Sequence, residues 1–408
     1  MNKKPKIMLS NFKNNWKIFS FYNLANVFQS GGTPSTKEPT FWGGTIPWIQ
    51  SSDIQKDILF GVIPQKFISE DGLLNSSAKL ISKNSIAIVT RVGVGKLAII
   101  DQDYATSQDF LSLSDFNGDT QFIVYSIYRM LQKESTQLQG TSIKGITKED
   151  LLSKKVSLPE IDEQSAIGSL FRTLDDLLAS HKDNLSNYQS LKATMLSKMF
   201  PKAGQTVPEI RLDGFDGEWE KVKLKDVTES IEYGLNASAK EFDGENKYIR
   251  ITDIDDVSRK FKEDSLTSPD IDVSECDNYL LCEKDILFAR TGASVGKTYL
   301  YVKKDGKVYF AGFLIRARIK DKFDSKFIFQ NTLTDRFTQY VKVTSQRSGQ
   351  PGVNGKEYGE YELYLPNYEE QQAIGAYFSN LDNLINSYQE KISQLEILKK
   401  KLLQDMFI

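Results

Sequence analysis

The side chains that could carry chemistry are few, and their spacing narrows what they could do. The chain holds one histidine, His181. A Ser-His-Asp or Cys-His nucleophile, or a histidine-rich metal centre, would therefore have to run through that single residue. Cys276 and Cys282 are the only cysteines, too few for a disulfide framework and, beside one histidine, a poor basis for a zinc site. The turn at 290–298 places Gly292, Gly296 and Lys297 in an order similar to a phosphate-binding loop. That loop needs four residues between its first glycine and Gly-Lys, and here there are three, Ala293, Ser294 and Val295. The related turn from Arg91 to Lys96 is shorter still. A Gly-rich turn between strands is the better reading, with Arg290 and Lys297, or Arg91 and Lys96, at its surface. Asp270, followed by Asp305 and Lys307, faintly resembles the carboxylate-and-lysine set of metal-dependent nucleases. So loose a pattern arises by accident in any chain this acidic. There is no Gly-x-Gly-x-x-Gly loop and no Asn/Asp-Pro-Pro-Tyr tetrapeptide. No catalytic residue and no metal ligand is assigned.

What positions these residues must be a protein of more than one domain. The chain has 408 residues, of which 40% are hydrophobic and 26% charged, with a mean hydropathy of -0.39. This describes a folded chain with apolar mass for two or three domains. No run approaches the roughly 18 apolar residues of a membrane helix. The basic start, Met1 to Ile7, has no apolar stretch behind it, so the expected compartment is the cytoplasm. The net charge of -2 announces no nucleic acid, and such a role must rest on local patches.

The chain repeats itself. The motif Leu-Pro-x-x-x-Glu-Gln-x-x-Ile-Gly stands at 158–168 and again at 365–375, an offset of 207. Carried on without a gap, that offset makes 18 of 43 positions identical, far above chance. A weaker match opens each half: Leu9, Phe12 and Trp16 align with Leu212, Phe215 and Trp219. The order is variable block, repeat, variable block, repeat.

Each repeat predicts one long helix. Pro159 and Pro366 precede it, and Asp162, Glu163, Glu369 and Glu370 suit the positive end of its dipole. Apolar residues then fall three and four apart, at Ile167, Phe171, Leu174, Leu178 and Leu185 in the first copy. In the second they are Ile374, Phe378, Leu381, Ile385, Ile392 and Leu395. This is a coiled-coil seam, and two matching stripes would pack antiparallel. About 40 residues make ~60 Å of helix. His181, matched by Tyr388, reads as a seam residue. Leu381→Asp is expected to open this face while each variable block stays folded.

The blocks between are predicted to be mixed α/β. Strands are expected at 46–49, 86–89, 97–100, 248–251, 286–289, 298–301 and 313–317, and helices at 120–133 and 325–337. The fold class is α+β, with two such domains separated by antiparallel coiled-coil helices in a pseudo-twofold duplication. The boundaries are 1–157 for the first domain, 158–200 for the central helix, 201–218 for a linker, 219–364 for the second domain and 365–408 for the last helix. Each helix region carries 4 basic and 6 acidic residues, whereas 301–364 carries 12 basic and 7 acidic. That concentration of positive charge reads either as a solvated face or as a surface for phosphate.

This architecture resembles the specificity subunit of type I restriction-modification systems. Its first block adds Ser-Gly-Gly-Thr-Pro-Ser at 30–35, Trp42 and Trp48 in a Gly-Gly-containing segment, and Ser-Ser-Asp-Ile at 51–54, which are similar to that family's target-recognition domains. The likeness runs from about Trp16 to Phe407. The second block departs from it, having Ser230 to Asn236 where Gly-Gly-Thr-Pro-Ser would stand. The resemblance implies a non-catalytic reader of double-stranded DNA whose domains each take half of a split site while the helices set the gap. It further implies two methylation subunits docked on the chain, carrying S-adenosylmethionine, and restriction subunits, expected as two, using ATP and Mg. No cofactor is expected on this chain.

Base readers should be polar side chains on turns. In the first domain the candidates are Thr33, Ser35, Lys37, Ser51, Asp53, Arg91, Lys96, Ser107, Gln108, Ser142 and Lys144. In the second they are Asn236, Ser238, Arg250, Thr252, Asp253, Arg290, Ser294, Lys297, Gln346, Arg347 and Gln350. Trp42 and Trp48 read as core anchors rather than stacking platforms. Two other classes stay open on the residues alone: a freestanding nuclease or NTPase, and a coiled-coil scaffold without a nucleic-acid role.

Overall fold

The computed structural model describes residues 4–12, 15–91, 95–137, 145–346 and 351–408. The chain forms two compact units, one of residues 1–181 with 391–408 and one of residues 182–390.

The first unit contains β1 (Lys17–Ser20), β2 (Ala25–Ser30), β3 (Trp42–Ile49), β4 (Lys66–Ile68), α1 (Glu70–Leu74), β5 (Ser85–Val89), β6 (Leu97–Ile100), β7 (Ala105–Thr106), β8 (Phe110–Phe116), α2 (Thr120–Gln137), α3 (Lys148–Ser153), β9 (Lys155–Leu158) and the start of α4 (Ile161–Lys198). Its main sheet has the order β2-β8-β5-β6, beside a sheet β4-β3-β7 and a closing ribbon β1-β9. Strand β5 shows why a short β-branched run belongs in the middle. Successive side chains point to opposite faces, so Ile86 and Ile88 enter one core while Ala87 and Val89 enter another.

The second unit contains the rest of α4, then β10 (Glu220–Lys223), α5 (Leu224–Val227), β11 (Thr228–Tyr233), β12 (Ala239–Glu241), β13 (Lys247–Ile249), β14 (Thr267–Pro269), β15 (Asp285–Ala289), β16 (Thr298–Leu300), β17 (Val308–Phe310), β18 (Leu314–Ile319), α6 (Ser325–Asn331), α7 (Asp335–Thr344), α8 (Gly355–Gly359), β19 (Glu362–Leu365) and most of α9 (Tyr368–Met406). Its main sheet, β11-β18-β15-β16, repeats the first unit's order, and β10-β19 is its closing ribbon. The same alternation recurs: Ile286 and Phe288 face one core, Leu287 and Ala289 the other. The helix expected at 325–337 is two helices. Thr334 caps the second by accepting from Phe337 N at 3.4 Å, and a threonine is a better cap than a mid-helix residue because its hydroxyl competes for backbone groups.

The duplicated motif is the joint between long helix and domain. Gln164 Nε2 donates to Pro159 O at 2.9 Å, and its Oε1 accepts from Asp119 N at 3.0 Å, at the start of α2. Gln371 repeats this with Pro366 O at 2.9 Å and Asp324 N at 3.1 Å. Asp119 and Asp324 in turn cap Phe122 N and Phe327 N at 2.8 and 2.7 Å. The motif's glycine is there for close approach: a Cβ on Gly168 would stand 2.6 Å from Asp119 Oδ1, and one on Gly375 would stand 2.5 Å from Asp324 Oδ1. An aromatic cluster locks each joint. Trp16, Phe122 and Phe171 pack on Phe407 in the first unit. Trp219, Phe327 and Phe378 pack on Phe200 in the second. Every ring has its mate in the other repeat, and truncating one such ring to alanine costs about 3–5 kcal/mol.

Within each unit the two long helices run antiparallel. In the first, Asp175 pairs with Lys399 and Phe171 with Phe407; in the second, Tyr188 stacks on Tyr388 and Lys192 pairs with Asp382. The expected seam is only partly a helix–helix seam. Ile167, Phe171 and Leu174 join the first domain's core, and Ile374, Phe378 and Leu381 join the second's. Leu178 and Ile392 are buried, whereas Leu185, Ile385 and Leu395 are half-buried between the ends. Leu381 thus faces the core of its unit, and a charge there would attack the fold. His181 is half-buried on α4.

The segment 201–218, expected to be a loop, is tied down. Arg211 makes a two-pronged contact with the wholly buried Glu370 at 2.8 and 2.6 Å and also donates to Gly217 O and Asp216 O. In the first unit the equivalent Glu163 accepts instead from Trp16 Nε1 at 3.3 Å.

Candidate nucleic-acid interface

Each domain raises one short turn from the end of a parallel strand pair. In the first, β3 runs parallel to β7 with Ile49 opposite Thr106, and the chain then turns through 50–53. Asp53 holds this turn: its Oδ2 accepts from Gln50 N at 3.0 Å while its own N donates to Gln50 O at 2.9 Å. In the second, β13 runs parallel to β17 with Ile249 opposite Phe310, and Asp253 makes the same two bonds to Arg250, both at 3.0 Å. Asp253 does more. It accepts from Arg250 Nε and Nη2 at 2.8 and 2.9 Å and from Thr252 Oγ1 at 3.1 Å. These bonds hold the guanidinium above its ordinary pKa against the opposing cost of burial. A lysine is latched to each turn, Lys96 onto Ser51 O at 3.2 Å and Lys262 onto Thr252 O at 3.3 Å.

The Gly-Gly-Thr-Pro-Ser segment lies beside the first turn. A Cβ on Gly31 would meet Thr106 Oγ1 at 2.1 Å, and one on Gly32 would meet Ser77 O at 2.0 Å, so only glycine fits. Trp48 Nε1 donates to Gly32 O and Trp42 Nε1 to Ser35 O, both at 3.0 Å, and the two rings pack edge to face. The tryptophans are anchors of this loop, and Thr33, Ser35 and Lys37 emerge exposed from it.

The other candidates divide by burial. Arg91 and Gln108 are exposed, Ser51, Asp53 and Lys96 half-buried, and Ser107 buried, its hydroxyl accepting from Asp109 N at 3.4 Å. In the second domain Asn236, Ser238, Thr252 and Gln346 are exposed, and Arg250 and Ser294 half-buried. Arg290 lies over the Tyr233 ring at 5.0 Å. Lys297 is 2.5 Å from Asp256. Asp253 is buried as the acceptor of its turn. Ser142, Lys144, Arg347 and Gln350 lie outside the described residues.

The Gly-rich turn and Asp305 are otherwise engaged. Gly292–Ser294 is a single 3-10 turn between β15 and β16. Its amides bond inward, Val295 N to Gly292 O, Gly296 N to Ala289 O and Lys297 N to Ser294 O, so they do not converge on an anion. Asp305 is buried and accepts from Tyr299 Oη at 2.5 Å, while Asp270 N pairs with Ser238 O. No group of three or more His, Cys, Asp or Glu among the described residues is placed to hold a metal. None of their helices is long and apolar enough to cross a membrane.

Sequence reasoning missed Gln50 and the jobs of Gln164, Gln371, Gly168 and Gly375. The signal for Gln50 was present: residues 49–54 align with 249–254 through Ile, Asp and Ile at an offset of 200, but the 207 offset of the helices hid it.

Two copies of one strand-and-turn domain, each clamped to a long helix and each lifting a polar turn, define a duplicated recognition scaffold. The family model for the type I restriction modification DNA specificity domain matches residues 13–188 and again 216–397. The chain is 24% identical over 296 residues to the type I restriction enzyme MjaIX specificity subunit of Methanocaldococcus jannaschii, covering 69% of this chain and 67% of that protein. It is 31% identical over 166 residues to the EcoR124I/EcoR124II specificity subunit of Escherichia coli, covering 38% of this chain and 40% of that protein. In fold it is similar to the crystal structure of the type I S subunit from M. genitalium, with a TM-score of 0.66 at 16% identity over 100% of this chain and 99% of that one. The chain belongs to the type I restriction-modification specificity subunits, the non-catalytic DNA-recognition components of those systems.

Proposed function

We propose that the first domain reads one half of a bipartite duplex site and the second reads the other, with the long helices setting the unread gap. The single observation that carries this reading is the repeated turn: equivalent positions after β3 and β13 hold different polar side chains on the same backbone frame. Two readers of common shape and different side chains suit a split site with unlike halves. Helices of 38 and 39 residues are each about 57 Å long at 1.5 Å per residue. Such a spacer exceeds one ~34 Å turn of DNA.

Two methylation subunits dock on the helices in this reading. Leu177 and Leu398 are 40% and 44% exposed and fall at one level of the first unit's helix pair. Their repeat mates Leu384 and Leu191, 41% and 36% exposed, fall at one level of the second's. Two like apolar patches suit two copies of one partner. S-adenosylmethionine belongs to those partners, and ATP with Mg to a pair of restriction subunits; the whole assembly works on DNA in the cytoplasm. The test is co-expression with the methylation subunit, followed by mapping of N6-methyladenine on a plasmid. A two-part motif with a fixed gap supports the reading, and methylation without sequence restriction overturns it.

A further inference from the structure

Arg250 and Gln50 stand at the same place in the two domains, each the first residue after a parallel strand and each held by an Asp three residues on. Their side chains differ in what they offer. Arg250 binds Asp253 side-on, through Nε and Nη2. That geometry leaves the end-on edge of the guanidinium, Nη1 with the second proton of Nη2, pointing away from the carboxylate. Nη1 has no hydrogen-bond partner among the described residues, and the side chain is 36% exposed. The arginine is therefore fixed in direction before any ligand arrives, which lowers the entropy cost of a bidentate contact. The Gln50 amide, half-buried, likewise bonds no side chain or backbone group among the described residues, so its carbonyl and NH2 are both available.

We propose that Arg250 and Gln50 are equivalent specificity-determining residues, Arg250 reading a guanine in one half-site and Gln50 an adenine in the other. The inference rests on the DNA-reading function above and names the bases that two of its side chains select. The chemistry follows from the groove edges. Two parallel N–H donors match the O6 and N7 acceptors of guanine, whereas an amide that donates and accepts matches N6 and N7 of adenine. Asp253 serves as a positioning residue. The lysines latched to the two turns, Lys96 and Lys262, supply charge for neighbouring phosphates.

The experiment maps N6-methyladenine motifs for the wild type, R250Q, R250K and Q50R, each co-expressed with the methylation subunit. R250Q gives the second turn the Gln-x-x-Asp frame that the first already uses, so its fold is expected to hold; thermal melting of the complex checks this. The expected result is that R250Q loses guanine preference at one position of one half-site, by roughly 5- to 150-fold, with a shift toward adenine. Q50R makes the reverse change at one position of the other half. R250K, lacking the planar fork, weakens the same guanine preference. Unchanged motifs in R250Q and Q50R overturn the assignment while leaving the functional reading intact. So does complete loss of methylation by R250Q and R250K in assembled, stably folded complexes, which would mark Arg250 as structural. A wild type that yields no bipartite motif overturns the functional reading itself, and this assignment with it.

Discussion

Lys192 Nζ lies 2.6 Å from Asp382 Oδ1, and the repeat mates of these two residues, Lys399 and Asp175, form an ion pair of their own. One sequence contact has thus been written twice, once in each unit, with the roles of the two helices exchanged. The copies differ in support: Asp175 also accepts from Tyr125 Oη at 2.6 Å, whereas the residue equivalent to Tyr125 is Gln330. Burial and the neighbouring carboxylate push the Tyr125 phenol far above its ordinary range, so it stays a donor. Asp175→Asn is expected to destabilise by about 2–4 kcal/mol and Asp382→Asn by about 1–2 kcal/mol, the gap reflecting the second bond. Chemical denaturation of the two variants checks the order.

Arg211 and Glu370 form the deeper pair, 15% and 0% exposed. Removing the arginine leaves a buried charge alone, so Arg211→Ala should cost about 3–5 kcal/mol, and adding Glu370→Gln should recover much of it. Equal stability of the single and double variants would contradict this.

Glu163 is the same position without an arginine. Burial pushes its carboxyl up, and the Trp16 N–H opposes only part of that. A raised folded-state pKa means that the stabilisation is complete below the unfolded value, near 4.5, and is lost as pH rises through the folded value. Glu163→Gln should therefore flatten the fall in stability above that pH, and melting curves across pH 4–7 for both proteins measure it. A steeper fall in the variant would contradict the sign.

Much of this was legible because repetition and periodicity are carried by types of residue. The 207-residue offset gave both long helices, and the short apolar runs at 86–89 and 286–289 gave the central strands. What stayed hidden depends on contacts between distant segments. Nothing local marks Gln164 as the acceptor for Asp119 N at the start of α2 or ties Arg211 to Glu370 across 159 positions. The seam was legible as apolar but not as to partner, because Ile167, Phe171, Ile374 and Phe378 serve a domain core and a helix pair with one stripe. At the candidate interface the sequence offered polar residue types, and only the fold separated the exposed Thr33 and Asn236 from the buried Ser107 and Asp253.

Leu177 and Leu398 in the first unit, with Leu191 and Leu384 in the second, make the docking reading specific. Being exposed, they can take a charge without loss of fold. Leu177→Asp with Leu398→Asp should reduce the complex from two methylation subunits to one, and adding the aspartates at 191 and 384 should abolish it, with affinity at each site falling tenfold or more. Native mass spectrometry counts the subunits, and retention of both by the first variant would contradict the placement.

The central claim is that each domain independently specifies half of the DNA site. It is tested most directly by replacing residues 20–150 with the corresponding domain of another specificity subunit and mapping N6-methyladenine made by the hybrid complex. One half of the motif should change to that of the donor while the other half and the gap stay as they were. A methylated sequence that does not change would contradict the account.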